Sequence, residues 1–475
     1  MKPIDSQTLD LLCYDADARE VRLREIIMER LAENPPPKMD DQVVATYFFA
    51  LRTMTLAKAV GEIAYHATSG IKNPPPGSLL EQCTAKAAGI DPFDAGGRIG
   101  LLHVAFPLKM LLQPDGHLTS VDLLHTTAGA IIFDVHENQD ARLVALQIPE
   151  RVLRTFPGPA CGPQGVRERT GFAADEPAFG TILKPTAGIT PEEVETLVEE
   201  AAACPLFLFI KEDEDLYPNL DYSPVQERTR RAVEALQRVR ERRGGRGVIF
   251  APHVTGAPHE ILETVHAVVE AGATGVMLSE TFAGGTVRMV REATRHLAQP
   301  PAIYGHNAGI GVKTRAIWRE VIDLLARLDG IDFRQTAPVR PGPPFIRPYG
   351  LEWHASEHVL SCPLPGIRPT MIARAGGLDQ GNIILNLADA ENRGLAPSIL
   401  FLAGSAINSI KGSSGKPDPQ LGAEAMLQAL EVHCSRELAD VPADQHVQAL
   451  AAVARRRNLN ALREALRQRY PEMMS

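Results

Sequence analysis

A chain of 475 residues is too long for one ordinary hydrophobic core, and its length predicts two or three domains. With 44% hydrophobic and 23% charged residues it has the composition of a folded globular protein. The formal charge of −9 excludes the broad basic surface that a nucleic-acid partner needs, and the densest basic clusters, 242–246 and 455–457, read as solvated helix ends or faces.

No stretch approaches the ~20 apolar residues of a membrane span, and the N-terminus lacks the apolar run of a signal peptide. Six scattered cysteines without a CxxC pair fit reduced thiols better than a disulfide framework or a zinc site. The expected setting is the cytoplasm, with neither nucleic acid nor membrane as partner.

In chain order, residues 1–39 read as a charged helical extension closed by Pro35-Pro36-Pro37, where consecutive prolines remove donors and enforce an extended linker. Residues 40–150 predict a small α+β domain on an antiparallel sheet, with VVATYFFAL, LLHVAFPL and GAIIFDV as its apolar runs and a helix near 56–66.

Residues 151–421 predict a (β/α)8 barrel. Short apolar runs (GTILKP, LFLFIKEDE, GVIFAPHVTG, GVMLSE, AIYGHNAG, GIDFRQT, TMIARAGG and SILFLAGS) alternate with amphipathic stretches. Apolar character along the whole run implies burial on both faces, as in a parallel sheet. One intervening helix starts at Thr190-Pro191-Glu192-Glu193, an N-cap followed by proline and early acids. Residues 422–475, rich in Ala, Arg and Leu, predict a helical tail that packs on the barrel or on a neighbouring subunit.

Reactive groups of such a barrel sit at the carboxyl ends of its strands. Those positions here carry Lys184; Lys211, Asp213 and Glu214; His253 and Thr255; Ser279 and Glu280; His306 and Asn307; Arg334 and Gln335; Arg374, Gly376 and Gly377; Gly404 and Ser405. Strand periodicity points Lys211 and Asp213 to one side, with Glu214 joining where the strand breaks. Two carboxylates beside a lysine suit a hard cation if the amine adds CO2 and becomes an oxygen-bearing carbamate. A solvated turn with ordinary ion pairs fits the same residues.

IKEDE and GTILKPTAGI together resemble the RuBisCO large-chain family, whose first barrel strand carries Lys-Pro and whose second carries Lys-x-Asp-Glu. LQIPERVLRTFPGPACGPQGVRERTG (146–171) is similar to the family's connector into the barrel, and the glycine turns at 375–377 and 403–405 fall where its seventh and eighth strands end. The resemblance implies Mg²⁺ bound by a carbamylated Lys211 with Asp213 and Glu214. It also implies an acid/base role for Lys184, proton handling by His306, and a phosphate cradle at Gly376, Gly377 and Gly404. It further implies at least a homodimer, each site being completed by the partner's N-terminal domain.

Departures from the family pattern bear on activity. The second lysine of its Lys-Pro-Lys strand is Thr186, the arginine after its strand-five histidine is Asn307, and its N-terminal Gly-Asn is Gly129-Ala130. The acidic start of another N-terminal motif is replaced within AYHATSGIKN. The sixth loop, 337–350, lacks the lysine that carboxylation requires; none occurs between Lys313 and Lys411, and arginine is a poor substitute for an ammonium there.

These changes favour the RuBisCO-like proteins over true RuBisCO. The expected activity is enolate formation, most specifically decarboxylation or hydrolysis of a 3-oxo sugar-acid phosphate. Isomerisation of a diketo or thiosugar phosphate, a carboxylase, and a non-catalytic barrel are the alternatives. Arg334, Arg340 and Arg347 stand as candidates to grip a carboxylate or phosphate, or as surface and loop-packing ion pairs. His253 is a candidate hydrogen-bonding group at the rim. Glu280 is either a support for the metal site or an ion-pair partner, and Lys72 and Lys109 are surface groups or contributors to a neighbouring subunit's site.

Overall fold

The computed structural model describes residues 16–135, 138–340 and 349–473. The chain divides into two compact units, one of residues up to 155 together with 314–321, the other of 156–313 and 322 onward.

The first unit contains helix α1 (Ala16–Glu33), strand β1 (Gln42–Leu51), helix α2 (Leu56–Ala64), and strands β2 (Lys86–Pro92), β3 (Ile99–Pro107) and β4 (Asn138–Gln147). The strands form an antiparallel sheet in the order β2-β3-β1-β4. Central β1 is buried from Val43 to Phe49. Ile27 of α1 shares an apolar cluster with Phe48, Leu101, Val144 and Trp318, so the helix packs against the sheet.

One expected strand is absent: in GAIIFDV, Ile131–Asp134 is helical and follows a capped helical segment that begins at Ser120. A short apolar run bears no period that separates helix from strand, and the Thr119–Asp122 capping box starts a helical path just upstream.

The second unit is built on strands β5 (Ala178–Ile182), β6 (Phe207–Lys211), β7 (Ile249–Ala251), β8 (Gly275–Leu278), β9 (Ala302–Gly305), β10 (Phe333–Thr336), β11 (Met371–Arg374) and β12 (Ile399–Ala403). They form one eight-stranded parallel sheet in the order β8-β9-β10-β11-β12-β5-β6-β7. Its ends are joined by a parallel bridge between His253 and Met277, with the Met277 N–H donating to Pro252 at 2.8 Å and the Val254 N–H to Met277 at 2.9 Å. The sheet is a (β/α)8 barrel.

Alternate residues of each strand face opposite ways. Phe209, Ala251, Met277, Tyr304, Phe333, Ala373 and Leu400 fill the interior cluster. Ile210, Phe250, Val276, Ile303, Ile372 and Phe401 pack against the outer helices.

Between the strands run α3 (Pro191–Ala202), α4 (Val225–Arg242), α5 (Pro258–Glu270), α6 (Thr286–Thr294), α7 (Arg319–Asp329), α8 (Tyr349–Ser361) and α9 (Ile383–Asn392). Helix α3 begins at the predicted capping box, the Thr190 N–H donating to Glu193 at 2.8 Å and the Glu193 N–H to the Thr190 hydroxyl at 3.3 Å. The tail forms α10 (Pro419–Cys434), α11 (His446–Arg456) and α12 (Asn460–Arg469), whose Met426, Leu450 and Leu462 join the outer barrel core. Among the described residues no helix is long and apolar enough to cross a membrane.

At the amino-terminal end of the barrel the buried Asp332 carboxylate accepts the N–H groups of Cys161 (2.7 Å) and Ile303 (2.9 Å) and pairs with Arg291 at 2.5 Å. Asp332→Ala leaves the buried guanidinium and these donors uncompensated. It is expected to destabilise the chain by about 3 kcal/mol, read as a lowered midpoint in guanidinium denaturation, whereas a change under about 0.5 kcal/mol would contradict this account.

Candidate active site

The carboxyl end of β6 assembles the charged centre. Lys211, its last residue, continues the inward phase of Phe209 and is fully buried, its Nζ 5.5 Å from the Tyr304 ring centroid. Nζ donates to the Glu212 carbonyl at 2.9 Å and lies 3.5 Å from Glu214 Oε2. Burial holds this ammonium below the usual lysine range, against the opposing pull of Glu214 and Asp213.

Asp213 is buried, and Lys184, which follows β5, reaches its Oδ2 at 2.5 Å. Glu214 Oε2 is shared with His306 Nε2 at 3.2 Å. The Ala308 N–H donates to His306 Nδ1 at 3.1 Å, so that nitrogen holds the lone pair and Nε2–H faces Glu214. The structure thus brings Lys184, Lys211, Asp213, Glu214 and His306 into one cluster.

The glycine turns border it. Gly376 and Gly377, after β11, take φ of 87° and 97°, a left-handed conformation that a side chain would strain. A Cβ on Gly377 would lie 2.9 Å from Arg340 Nη1, which places this arginine against the turn. Gly404, after β12, lies against Lys184, whose Cε would be 3.7 Å from a Cβ there. Asn408 secures that turn by donating to the carbonyls of Gly404 at 3.0 Å and Ile182 at 2.8 Å.

Arg334 is placed differently from the expectation of a ligand-gripping arm. It occupies the outward phase of β10, fully buried, with Nε 2.6 Å from Asp323 and Nη1 2.6 Å from Glu280. Glu280 is accordingly its ion-pair partner. Arg374 on β11 also faces outward and pairs with Glu357 at 2.9 Å and Asp389 at 2.5 Å. Gln335 takes the inward position on β10 and accepts from the Tyr304 hydroxyl at 3.0 Å.

Lys72 is exposed, 3.5 Å from Glu62, and Lys109 donates to Gln82. Arg347 and loop residues 341–348 lie outside the described residues.

Sequence reasoning missed three contributors. Asp215 stands with Asp213 and Glu214, each offering a ligand atom within 4.8 Å of the others. Glu212 points the opposite way from Lys211 and forms a fully buried double ion pair with Arg228, at 2.7 and 3.0 Å. The signal for Arg228 was its place on the buried stripe of α4, alongside Val225, Ala232 and Ala235.

The donor set fits a hard divalent cation. Asp213 and Glu214 would supply carboxylate oxygens, and Lys211, a buried amine held below its ordinary range, would become an oxygen ligand on adding CO2.

Residues 166–342 match the family described as ribulose bisphosphate carboxylase large chain, catalytic domain. The chain is 27% identical over 459 residues to a ribulose bisphosphate carboxylase of Archaeoglobus fulgidus, covering 90% of this chain and 97% of that one. It is 35% identical over 219 residues to a 3-oxo-isoapionate-4-phosphate transcarboxylase/hydrolase of Xanthobacter autotrophicus, covering 44% of this chain and 50% of that one. The crystal structure of an octameric ribulose-1,5-bisphosphate carboxylase/oxygenase from Pyrococcus horikoshii OT3 superposes with a TM-score of 0.75 at 22% identity, covering 91% and 94% of the two chains.

Burial holds His306 well below the ordinary histidine value and His253 below it. The unfolded chain therefore binds protons near pH 6.5 that the folded chain refuses, and stability is lost as pH falls through that value. The denaturation midpoint is expected to be level above pH 7 and to drop below it. His306→Asn should make the drop shallower; an unchanged slope would show that His306 is not the depressed group.

Proposed function

We propose that the chain is a member of the RuBisCO large-chain family and a Mg²⁺-dependent enzyme that decarboxylates or hydrolyses a 3-oxo sugar-acid phosphate. The observation that carries this reading is the convergence of Lys184, Asp213, Glu214 and His306 on the buried Lys211 amine. The 35% identity to the Xanthobacter transcarboxylase/hydrolase supports the substrate class.

Lys211, as its carbamate, would hold the cation together with Asp213 and Glu214, and the bound charge would offset the negative charge that builds on a substrate's keto oxygen. The remaining work falls to the chain's own groups. In decarboxylation the bond between the carboxylate and its α-carbon breaks, CO2 leaves, and the electron pair moves toward the keto oxygen. Lys184 Nζ, in its ammonium form beside Asp213, delivers the proton that the α-carbon then takes up. His306, with Nδ1 occupied by a backbone donor, keeps Nε2–H on Glu214 and holds that carboxylate in register. The left-handed turn at Gly376 and Gly377, with Arg340 against it, is suited to a single phosphate.

The alternative reading, a carboxylase, is favoured by the nearly full-length match to the Archaeoglobus protein. Asn307 stands against it, since it replaces the arginine that the resemblance assigns to a bisphosphate's second phosphate, and Thr186 replaces a further lysine of the family pattern. The octameric Pyrococcus structure supports a homo-oligomeric assembly, at least a dimer.

Preincubation with Mg²⁺ and bicarbonate is expected to be required for decarboxylation of a 3-oxo sugar-acid phosphate. Lys211→Ala should abolish it and Lys184→Met should lower kcat by about 10²-fold or more. Full turnover by Lys211→Ala would end this assignment. Labelled CO2 fixed onto ribulose bisphosphate would replace it with the carboxylase.

A further inference from the structure

The segment that carries the acids is too short to be held by sheet pairing, because β6 ends at Lys211. What holds it comes from β7 and α4. The His253 N–H donates to Glu212 Oε2 at 3.0 Å, and the His253 ring reaches over the segment to bring Nδ1 within 3.0 Å of the Leu216 carbonyl. A carbonyl only accepts, so Nδ1 carries the proton and the ring is fixed in that tautomer.

Inside this span the Leu216 N–H donates to the Asp213 carbonyl at 3.2 Å, and the Asp215 N–H to Asp213 Oδ1 at 3.1 Å. Arg228 completes the hold with its double pair to Glu212 and a 3.3 Å bond to the Tyr217 carbonyl. Asp213 and Glu214 are therefore suspended between two fixed points, Glu212 before them and Leu216–Tyr217 after them, and His253 touches both ends.

His253 keeps this arrangement at a cost. Its Nε2 is buried without a partner among the described residues, and such a lone pair carries a desolvation cost that an apolar residue would not incur. A merely space-filling position gains nothing from an imidazole.

We propose that His253 is a positioning residue that sets the spacing of Asp213 and Glu214 for the divalent cation, acting through Leu216 and Glu212 without itself touching cation or substrate. This deepens the reading above and rests on it. Groups that orient metal ligands typically govern affinity by 10- to 100-fold, and the effect here is expected in that range.

The test measures Mg²⁺ binding to the full chain by titration calorimetry under excess bicarbonate, and the lysine carbamate by ¹³C resonance after ¹³CO2 addition. His253→Leu, which removes the Nδ1 donor and retains the backbone N–H, is expected to weaken Mg²⁺ at least about 10-fold. His253→Asn, whose side-chain amide can donate where Nδ1 did, should recover most of the loss.

Mg²⁺ affinity in His253→Leu equal to that of the unaltered chain would overturn the positioning role and leave the metal site standing. Absence of both Mg²⁺ binding and carbamate in the unaltered chain would overturn the two together. Should His253→Leu fail to fold, amide exchange of 213–217 in the unaltered metal-free chain decides: protection comparable with β6 supports the clamp, and exchange at the rate of an open loop refutes it.

Discussion

The arrangement depends on a lysine ammonium placed out of reach of water. Lys211 is fully buried at the mouth of a barrel filled below it by Phe209, Tyr304 and Phe333. A charge in such surroundings is expensive unless it is answered nearby. The responses are Glu214, the Glu212 carbonyl and, one step further, Asp213 with Lys184. Burial and the nearby acids act in opposite directions on the same amine, and burial is the larger influence. An amine so placed is easier to deprotonate than a surface lysine, which is the first requirement for adding CO2.

A second constraint is the alternation of strand residues. Inward positions carry Lys211, His253, His306 and Gln335, while the adjacent outward positions carry Glu212, Arg334 and Arg374. Each outward arginine is fully buried and paired with acids from neighbouring elements: Arg334 with Asp323 and Glu280, Arg374 with Glu357 and Asp389. Glu212 uses the same device with the sign reversed, taking Arg228 from α4. Buried pairs of this kind add little net stability, but they fix geometry, because breaking one strands a charge. They fasten helices to the strand ends that carry the inward groups.

The fold was legible because its signals are repetitive. Eight apolar runs separated by amphipathic stretches leave few architectures; seven of the runs contain their strands, and the first, GTILKP, begins two residues into β5. The Lys211–Asp213–Glu214 group was legible because its residues are adjacent and the strand period is two. Arg334 was misread for the same reason it is informative: one step along β10 exchanges the mouth for the helix layer, and the sequence does not mark which phase faces in. GAIIFDV, a short apolar run without period, fits strand and helix alike. His253 was legible as a rim group because it follows a strand end, but its hold on the ligand segment, like that of Arg228, 17 residues beyond Lys211, arises only through folding.

The charge balance of the site suits the proposed cofactor. Two ammonium groups, Lys184 and Lys211, stand among three carboxylates, Asp213, Glu214 and Asp215. Converting the Lys211 ammonium into a carbamate removes two units of positive charge, and a divalent cation returns both. The net charge within the cluster is then the same before and after loading, so the surrounding network meets no new imbalance. A monovalent ion would leave the acids undercompensated, and a divalent ion without the carbamate would leave two like charges, cation and ammonium, facing one another in a low-dielectric site. Carbamylation of Lys211 and cation binding would then be a single coupled event, with the Lys184–Asp213 hydrogen bond left in place.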